Sequence, residues 1–156
     1  MGIEQARAYL QQWGIQNQIL EFDSSSATVE LAAQALHCEP GRIAKTLSIL
    51  VDGEAVLVVA AGDTKIDNAK FKAQFHTKAK MLTPEQAVEL VGHAVGGVCP
   101  FGVKDGVKVY LDVSLQRFDI VYPACGSSNS AIALTPSQLE RYSGSLGWID
   151  TCKLRA

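Results

Sequence analysis

Residues 43–61 read IAKTLSILVDGEAVLVVAA, and this stretch has the clearest structural pattern in the chain. Two apolar runs rich in β-branched residues, 43–51 and 55–61, lie on either side of Asp52-Gly53. Asp-Gly is a preferred pair for the two-residue turn of a β-hairpin, because both turn positions need a positive φ. The stretch therefore predicts two antiparallel strands joined by a tight turn.

Lys45 lies near the start of the first of these strands. Side chains alternate between the two faces of a strand, so Lys45 shares a face with Leu47, Ile49 and Val51. Two roles are open for a lysine at the head of an apolar face. Its ammonium can reach water while its methylenes pack on apolar neighbours. Alternatively, the ammonium projects into a pocket and binds an anion or stabilises a developing negative charge.

Helix and strand patterns occur on both sides of the hairpin. Apolar residues recur at helical spacing in residues 3–13 and 28–36. Residues 83–86 and 135–138 share the Thr-Pro-x-Gln pattern of a capped helix start. A helix is also predicted at 67–75, and strands at 18–22, 107–111 and 118–122. We therefore expect one α/β domain covering residues 1–156, with a mixed or largely antiparallel sheet.

The composition limits the class of protein. Of the 156 residues, 47% are apolar and 19% are charged, which is typical of a globular chain. There is neither a membrane-spanning apolar run nor a signal-peptide pattern, so we expect a cytoplasmic protein without a membrane partner. The cysteines have no C-x-x-C or zinc-type spacing, which predicts free thiols, no metal and no cofactor. They are Cys38, Cys99, Cys125 and Cys152.

A cluster of lysines stands out in a chain whose net charge is −2. Residues 64–80 contain five lysines and one acidic residue, Asp67, a local charge of +4. Such clusters are usually solvated surface, but a lysine patch beside a pocket is also what a nucleic-acid phosphate backbone requires. The candidate phosphate-binding residues are Lys65, Lys70 and Lys72.

Two small loops rich in glycine or serine follow the hairpin in sequence. Residues 96–102 read GGVCPFG, and residues 125–129 read CGSSN. The first loop can be an ordinary tight connection. It can also be a rigid loop that points main-chain N–H groups at a carbonyl oxygen or an oxyanion.

Lys45-Thr46-Leu47, the loop at 96–102 and the loop at 126–129 occur in a definite order. Together they resemble the YbaK/ProX family of aminoacyl-tRNA deacylases, which are similar to the editing domain of bacterial prolyl-tRNA synthetases. The resemblance extends from the first helix to about Leu146. It implies a mixed, largely antiparallel sheet curled into an irregular barrel, with helices packed outside.

The resemblance also implies a function and a set of site residues. The function is trans-editing, the hydrolysis of the ester of a mischarged tRNA of the tRNA(Pro) type. The catalytic residues would be Lys45 and the main chain of Gly96 and Gly97, and the partners would be aminoacyl-tRNA and an aminoacyl-tRNA synthetase. The substrate-binding residues would be Phe22, Thr46, Val98, Cys99, Pro100, Ser128 and Asn129. The tRNA-binding residues would be Lys65, Lys70 and Lys72.

An aminoacyl ester is already activated, so its hydrolysis depends mainly on positioning, oxyanion stabilisation and a water molecule. Our hypothesis is that the N–H groups of Gly96 and Gly97 bind the carbonyl oxygen, while Lys45 holds a phosphate or ribose oxygen. Ser128 or Asn129 would orient the substrate or the water. Cys99 is expected in the pocket wall rather than as a nucleophile, because no histidine is placed by the sequence to activate it.

Three positions differ from the specificity patterns of the family. Phe22 stands where the cysteinyl-tRNA deacylases have tyrosine, and Ala131 where they have aspartate. Cys125 stands where the alanine-editing members tend to have histidine. The sequence therefore does not define the amino acid that is removed. Two other functions are open: a non-catalytic module that binds a tRNA 3′ end or a nucleotide, and a small-molecule binder without an RNA partner.

Overall fold

The computed structural model describes residues 2–155. Among these residues, the α-helices are α1 Ile3–Leu10, α2 Val29–Leu36, α3 Asn68–Phe75, α4 Pro84–Gln86 and α5 Pro136–Ser143. The strands are β1 Leu20–Glu21, β2 Ile43–Val51, β3 Glu54–Ala61, β4 Thr64–Ile66, β5 Lys108–Asp112, β6 Tyr122–Pro123, β7 Ser130–Ala131, β8 Trp148–Ile149 and β9 Cys152–Leu154. A π-helical turn, Ala87–Val91, continues α4. The expected mixed α/β architecture is confirmed.

The β2–β3 hairpin is the centre of a five-stranded sheet with the strand order β6-β2-β3-β5-β8. Asp52 and Gly53 have φ values of 51° and 81°, and β2 pairs antiparallel with β3. The predicted hairpin is therefore confirmed. The pairs β2–β6, β3–β5 and β5–β8 are parallel, because longer connections return the chain in the same direction.

Two smaller antiparallel sheets lie beside the central one. Strand β1 pairs with β7, and β4 pairs with β9. Each of these strands has only two or three residues and pairs with a single neighbour. Within residues 2–155 the strands do not close into a barrel, so the curled arrangement implied by the resemblance consists of three separate sheets.

Apolar packing covers both faces of β3. Leu57 on one face belongs to the main core, which also contains apolar residues of α1 and α5. Val58 on the other face packs in a smaller core with Phe71 of α3. Burial on both faces explains the nearly continuous apolar sequence of this strand. The helices thus pack outside the central sheet, as expected.

The predicted helix starts are confirmed at α4 and α5. The hydroxyls of Thr83 and Thr135 each accept a hydrogen bond of 3.1 Å from the N–H group three residues later. The strand predicted at 118–122 is wrong over most of its length, because β6 begins only at Tyr122. Arg42 instead donates to the carbonyl of Ile120 at 3.2 Å, a main-chain group that a strand neighbour would otherwise bind.

Helices of the described part of the chain are all too short or too polar to cross a bilayer. In residues 2–155, no three His, Cys, Asp or Glu side chains lie close enough together to hold a metal ion. The four cysteines are free; Cys38 is half-buried, and the other three are buried.

Candidate active site

A pocket of about 260 Å³ lies where the N-terminal end of α2 faces β2. Its polar lining residues are Ser26, Thr28, Lys45, Thr46, Ser48 and Ser130. Its apolar lining includes Val29, Ala32, Ala44, Met81, Leu82, Val95, Val98 and Ala124, and Gly96 completes the wall. The pocket thus combines several hydroxyl groups with an apolar surface and has one lysine at its edge.

Strand β2 contributes two hydroxyls to the pocket. Thr46 and Ser48 lie two residues apart, so they share one face of the strand. The Oγ1 atom of Thr46 is buried and has no hydrogen-bond partner in residues 2–155. A buried hydroxyl without a partner typically costs about 1–3 kcal/mol, so a ligand that binds it recovers that free energy. Thr46 lines the pocket, and its unpartnered hydroxyl makes it a candidate for contact with a ligand.

The ammonium of Lys45 is held close to the pocket by the main chain. Its Nζ donates a hydrogen bond to the carbonyl of Thr64, at the start of β4. Burial lowers the pKa of Lys45, and the nearby Arg155 lowers it further, whereas Cys152 and Asp63 oppose the shift. Of the two roles left open above, simple projection into water is not observed. The ammonium lies at the border between the pocket and β4.

The loop expected to bind a carbonyl oxygen begins with a tight turn. The N–H of Gly97 donates to the carbonyl of Ala94 at 3.0 Å, and Gly96 has a φ of 94°. Glycine is favoured at Gly96 because side chains rarely tolerate this φ. The expectation for Gly97 is corrected, since its N–H is already used within the turn. Gly96 lines the pocket, and its N–H has no protein partner in the described residues.

Gly97 has a packing role instead. A Cβ atom at this position would lie 2.7 Å from the main-chain carbon of Gly126 and from the nitrogen of Ser127. Contacts this short do not occur for real Cβ atoms, so the two loops approach closely only because residue 97 is glycine. Gly97 thus joins the loop at 96–102 to the loop at 126–129.

Three predicted substrate-binding residues lie outside the pocket and hold its wall in place. Phe22 donates its N–H to the carbonyl of Asn129 at 2.8 Å, and the Asn129 amide donates back to the Phe22 carbonyl at 2.9 Å. The carbonyl of Ser128 accepts from the N–H of Ser26 at 2.6 Å. These bonds fix the segment that precedes α2, and this segment places Ser26 and Thr28 in the pocket lining.

Cys99 lies behind the pocket wall rather than in it, and Pro100 is also absent from the lining. The Sγ atom of Cys99 is 3.6 Å from Nε2 of His93, and the side chains of Cys99 and His93 are both fully buried. Nε2 lies 2.7 Å from the carbonyl of Phe101, which can only accept, so Nε2 carries the proton and cannot take one from the thiol. Burial also raises the pKa of Cys99 to about 12. The expected place in the pocket wall is therefore corrected.

The comparison with known proteins can now be added to this geometry. A family model described as the aminoacyl-tRNA editing domain matches residues 23–142, most of the chain. The chain belongs to this family. It is 52% identical over 154 residues to YwhH, an uncharacterised protein of Bacillus subtilis strain 168, with 98% of each chain covered.

Relatives of the editing domain include parts of larger enzymes. The proline–tRNA ligase of Halalkalibacterium halodurans is 32% identical over 104 residues, which are 66% of this chain but 18% of the ligase. A solved structure of a protein proposed to be a trans-editing enzyme for prolyl-tRNA synthetase has a TM-score of 0.87 and 28% identity. The match covers 97% of this chain and 96% of the chain in that solved structure. The family and fold expected from the sequence are thus confirmed.

Sequence reasoning missed several residues that line the pocket of this editing domain. Ser48 was recognisable, because strand alternation places it on the same face as Thr46. Thr28 was predicted only as the first residue of a helical segment; in the structure it precedes α2, and its hydroxyl accepts from the N–H of Leu31 at 3.2 Å. Met81 and Ser130 had no local signal, since only the folded chain brings them to β2.

The three candidate tRNA-binding lysines of the editing domain differ in their surroundings. Lys65 on β4 and Lys72 on α3 are exposed and form no ion pair within residues 2–155. Lys70 forms an ion pair of 3.0 Å with Asp150 and donates to the carbonyl of Cys152 at 3.3 Å. None of the three lines the pocket. Lys65 and Lys72 are therefore free for an anionic partner, whereas Lys70 is engaged.

Proposed function

We propose that this editing domain acts in trans as an aminoacyl-tRNA deacylase. Its substrate is the ester that joins a wrong amino acid to the 3′-terminal ribose of a tRNA, of the tRNA(Pro) type. The observation that carries the proposal is the pocket, whose lining includes Gly96 with an unpartnered N–H, Thr46 with an unpartnered hydroxyl, and Lys45. Family membership and the similarity to part of proline–tRNA ligases support it.

Hydrolysis needs few protein groups, because the ester is already activated. Water attacks the carbonyl carbon, and the N–H of Gly96 stabilises the oxyanion that forms. The tetrahedral intermediate then releases the ribose oxygen, which takes up a proton, and leaves the free amino acid and a tRNA with its 3′ end restored. Lys45 contributes positive charge at the pocket edge, towards a ribose or phosphate oxygen.

The source of the base follows from the lining of the pocket. No Asp, Glu or His of residues 2–155 lines it. The attacking water is therefore activated by a group of the substrate, such as the α-amino group or the neighbouring ribose hydroxyl. Thr46 and Ser48 hydrogen-bond the aminoacyl group and orient its carbonyl carbon.

The amino acid removed is selected by residues other than those at the three divergent positions. Phe22, Cys125 and Ala131 all lie outside the pocket lining, and Cys125 and Ala131 are buried. Their differences from the specificity patterns of the family therefore need not change the shape of the pocket. Selection instead depends on side chains that line it, such as Thr46, Ser48 and Met81.

The proposal is tested with a panel of tRNA(Pro) esters of alanine, cysteine, serine, threonine and proline. Hydrolysis of at least one non-cognate ester in excess over the protein, with the prolyl ester spared, is the expected result. If no ester is hydrolysed, the catalytic proposal is wrong. Repeating the assay with added prolyl-tRNA synthetase, the expected cytoplasmic partner, tests whether the synthetase increases the rate of ester hydrolysis.

A second candidate function is a non-catalytic module that holds a tRNA 3′ end. It is favoured by the engagement of two predicted donors within the protein, Lys45 with Thr64 and Gly97 with Ala94. Turnover decides between the two functions, because a pure binding module protects the ester rather than hydrolysing it.

A further inference from the structure

The cations of the chain differ in whether a protein group faces them. Of the fourteen lysines and arginines, five form ion pairs with carboxylates: Arg7, Arg42, Lys70, Lys108 and Arg117. Lys45 and Lys104 donate to main-chain carbonyls, and Arg141 stacks on Tyr142. The side chains of the other six are exposed and form no hydrogen bond, ion pair or ring contact within residues 2–155. These six, which we call the lysine face, are Lys65, Lys72, Lys78, Lys80, Lys153 and Arg155.

The lysine face comes from two segments far apart in sequence, 65–80 and 153–155. The antiparallel pairing of β4 with β9 joins them and places Lys65 directly opposite Lys153. Like charges in directly opposed positions of an antiparallel pair destabilise the sheet. The fold therefore maintains a repulsive contact that a bound anion would relieve.

Nearby carboxylates offset only part of the charge of the lysine face: they are engaged by other groups, and Asp67 also interacts electrostatically with one member of the face, Lys153. Asp67 caps α3 by accepting from the N–H groups of Ala69 and Lys70 at 3.0 and 3.1 Å. Asp150 pairs with Lys70. Asp63 pairs with Arg117 at 2.6 Å. The remaining positive charge is thus left for a partner from outside the chain.

Two members of the lysine face are adjacent in sequence to residues at or near the pocket. Lys65 directly follows Thr64, whose carbonyl binds the ammonium of Lys45. Lys80 directly precedes Met81, which lines the pocket and is 50% exposed. A long anion that contacts both Lys65 and Lys80 would therefore lie close to Thr64 and Met81.

We propose that the lysine face binds the sugar–phosphate backbone of the RNA whose 3′ end enters the pocket. This inference rests on the proposed function and changes its expected contacts: Lys70 is excluded, and Lys78, Lys80, Lys153 and Arg155 are added. Phosphate contacts of this kind release counterions, so binding weakens steeply as salt increases.

The direct test measures the binding of tRNA that carries no amino acid to the full chain, by fluorescence anisotropy over a series of salt concentrations. The double variant Lys65→Ala/Lys153→Ala should bind about tenfold more weakly, with a salt slope smaller by about 1 to 2. The matched control is Lys70→Ala/Lys108→Ala, which removes two paired lysines and should keep the wild-type slope. The proposal is wrong if Lys65→Ala/Lys153→Ala keeps the wild-type salt slope, or if the control variant loses as much affinity for tRNA.

A second measurement separates this inference from the deacylase proposal. On aminoacyl-tRNA, Lys65→Ala/Lys153→Ala should raise KM about tenfold and leave kcat unchanged. On 3′-O-aminoacyl-adenosine, which lacks the RNA backbone, it should match the wild type. If the wild type hydrolyses neither ester, the deacylase proposal is wrong, whereas the binding experiment still decides the role of the lysine face. Equal losses on both esters contradict RNA binding by these lysines.

Discussion

The sulfur of Cys99 lies 3.6 Å from Nε2 of His93 inside the core. A cysteine beside a histidine resembles a nucleophile with its base, but this pair lacks the required properties. Nε2 donates its proton to the Phe101 carbonyl, and burial raises the pKa of Cys99 to about 12. The two side chains are a packing contact, and the thiol stays protonated at neutral pH.

Replacing Cys99 should therefore leave catalysis almost unchanged. We expect Cys99→Ala to keep kcat within about threefold of the wild type and to lower the free energy of unfolding by about 1 kcal/mol, because a buried atom is lost. Single-turnover deacylation and urea unfolding measure the two effects, with Cys38→Ala as the half-buried control. A folded Cys99→Ala protein without activity would contradict this prediction and indicate that the thiol is the nucleophile.

Lys45 should matter for catalysis. Removing a charged group that stabilises a transition state typically costs about 10²- to 10³-fold in rate. We expect a loss of this size in kcat/KM for Lys45→Met, which keeps the length of the side chain but removes the charge. Arg42→Met, at a paired cation outside this pocket, is the control. Wild-type activity in Lys45→Met would exclude the proposed role.

The buried ammonium of Lys45 should also affect the pH dependence of stability. Its pKa is lowered in the folded state, so between the folded and unfolded pKa values the unfolded chain binds more protons. The free energy of unfolding contributed by Lys45 therefore rises with pH up to the ordinary lysine pKa of about 10.4. Urea unfolding at increasing alkaline pH should show this rise relative to Lys45→Met. Parallel curves for the two proteins would contradict it.

Thr46 should affect substrate binding more than folding. Thr46→Val removes a hydroxyl that has no protein partner, so we expect the free energy of unfolding to stay the same or rise by about 1 kcal/mol. Deacylation should fall about tenfold, and Thr46→Ser should retain most of the activity because it keeps the hydroxyl. Panel assays and urea unfolding of the three proteins provide the measurements. Equal activity of the valine and serine variants would remove Thr46 from the site.

Gly97 should be essential for the shape of the site although its N–H does not face the substrate. In Gly97→Ala the new Cβ would overlap the main chain of Gly126, and overpacking of this kind costs about 1–3 kcal/mol. We expect a lower urea midpoint together with reduced activity. Gly14→Asn is the control, because Gly14 has open space around it and a φ of 71° that asparagine tolerates. A Gly97→Ala protein with wild-type stability would contradict the close approach.

Local patterns predicted the parts of the fold that depend on neighbouring residues. The turn at Asp52-Gly53 and the cap at Thr135 follow from short-range hydrogen bonding and φ preferences, and both are confirmed. The paired strands β4 and β9 could not be predicted in this way. Their partners, such as Lys65 and Lys153, are brought together only by the folded chain.

The same distinction, between features set by neighbouring residues and features set by the folded chain, applies to the candidate site. Lys45, Thr46, Gly96 and Val98 do line the pocket, and each belongs to a motif that the sequence analysis singled out. Their catalytic and binding roles remain predictions. Phe22 and Asn129 were assigned to the substrate, but they bind each other across more than a hundred residues. Lys70 forms an ion pair with Asp150. Because Asp150 lies outside residues 64–80, the lysine pattern in that segment could not show that Lys70 is engaged.

The close approach of Gly97 and Gly126 has a consequence for how variant libraries of this protein should be interpreted. A Cβ atom at Gly97 would overlap the main chain of Gly126, and one at Gly126 would lie 2.4 Å from the main-chain carbonyl of Gly2, so a saturation screen for activity would find both positions intolerant. Such intolerance is commonly taken as a sign of direct participation in chemistry. Here it would report close main-chain packing, of Gly97 on Gly126 and of Gly126 on Gly2, and only a parallel screen for folded protein would separate these positions from Lys45 and Thr46.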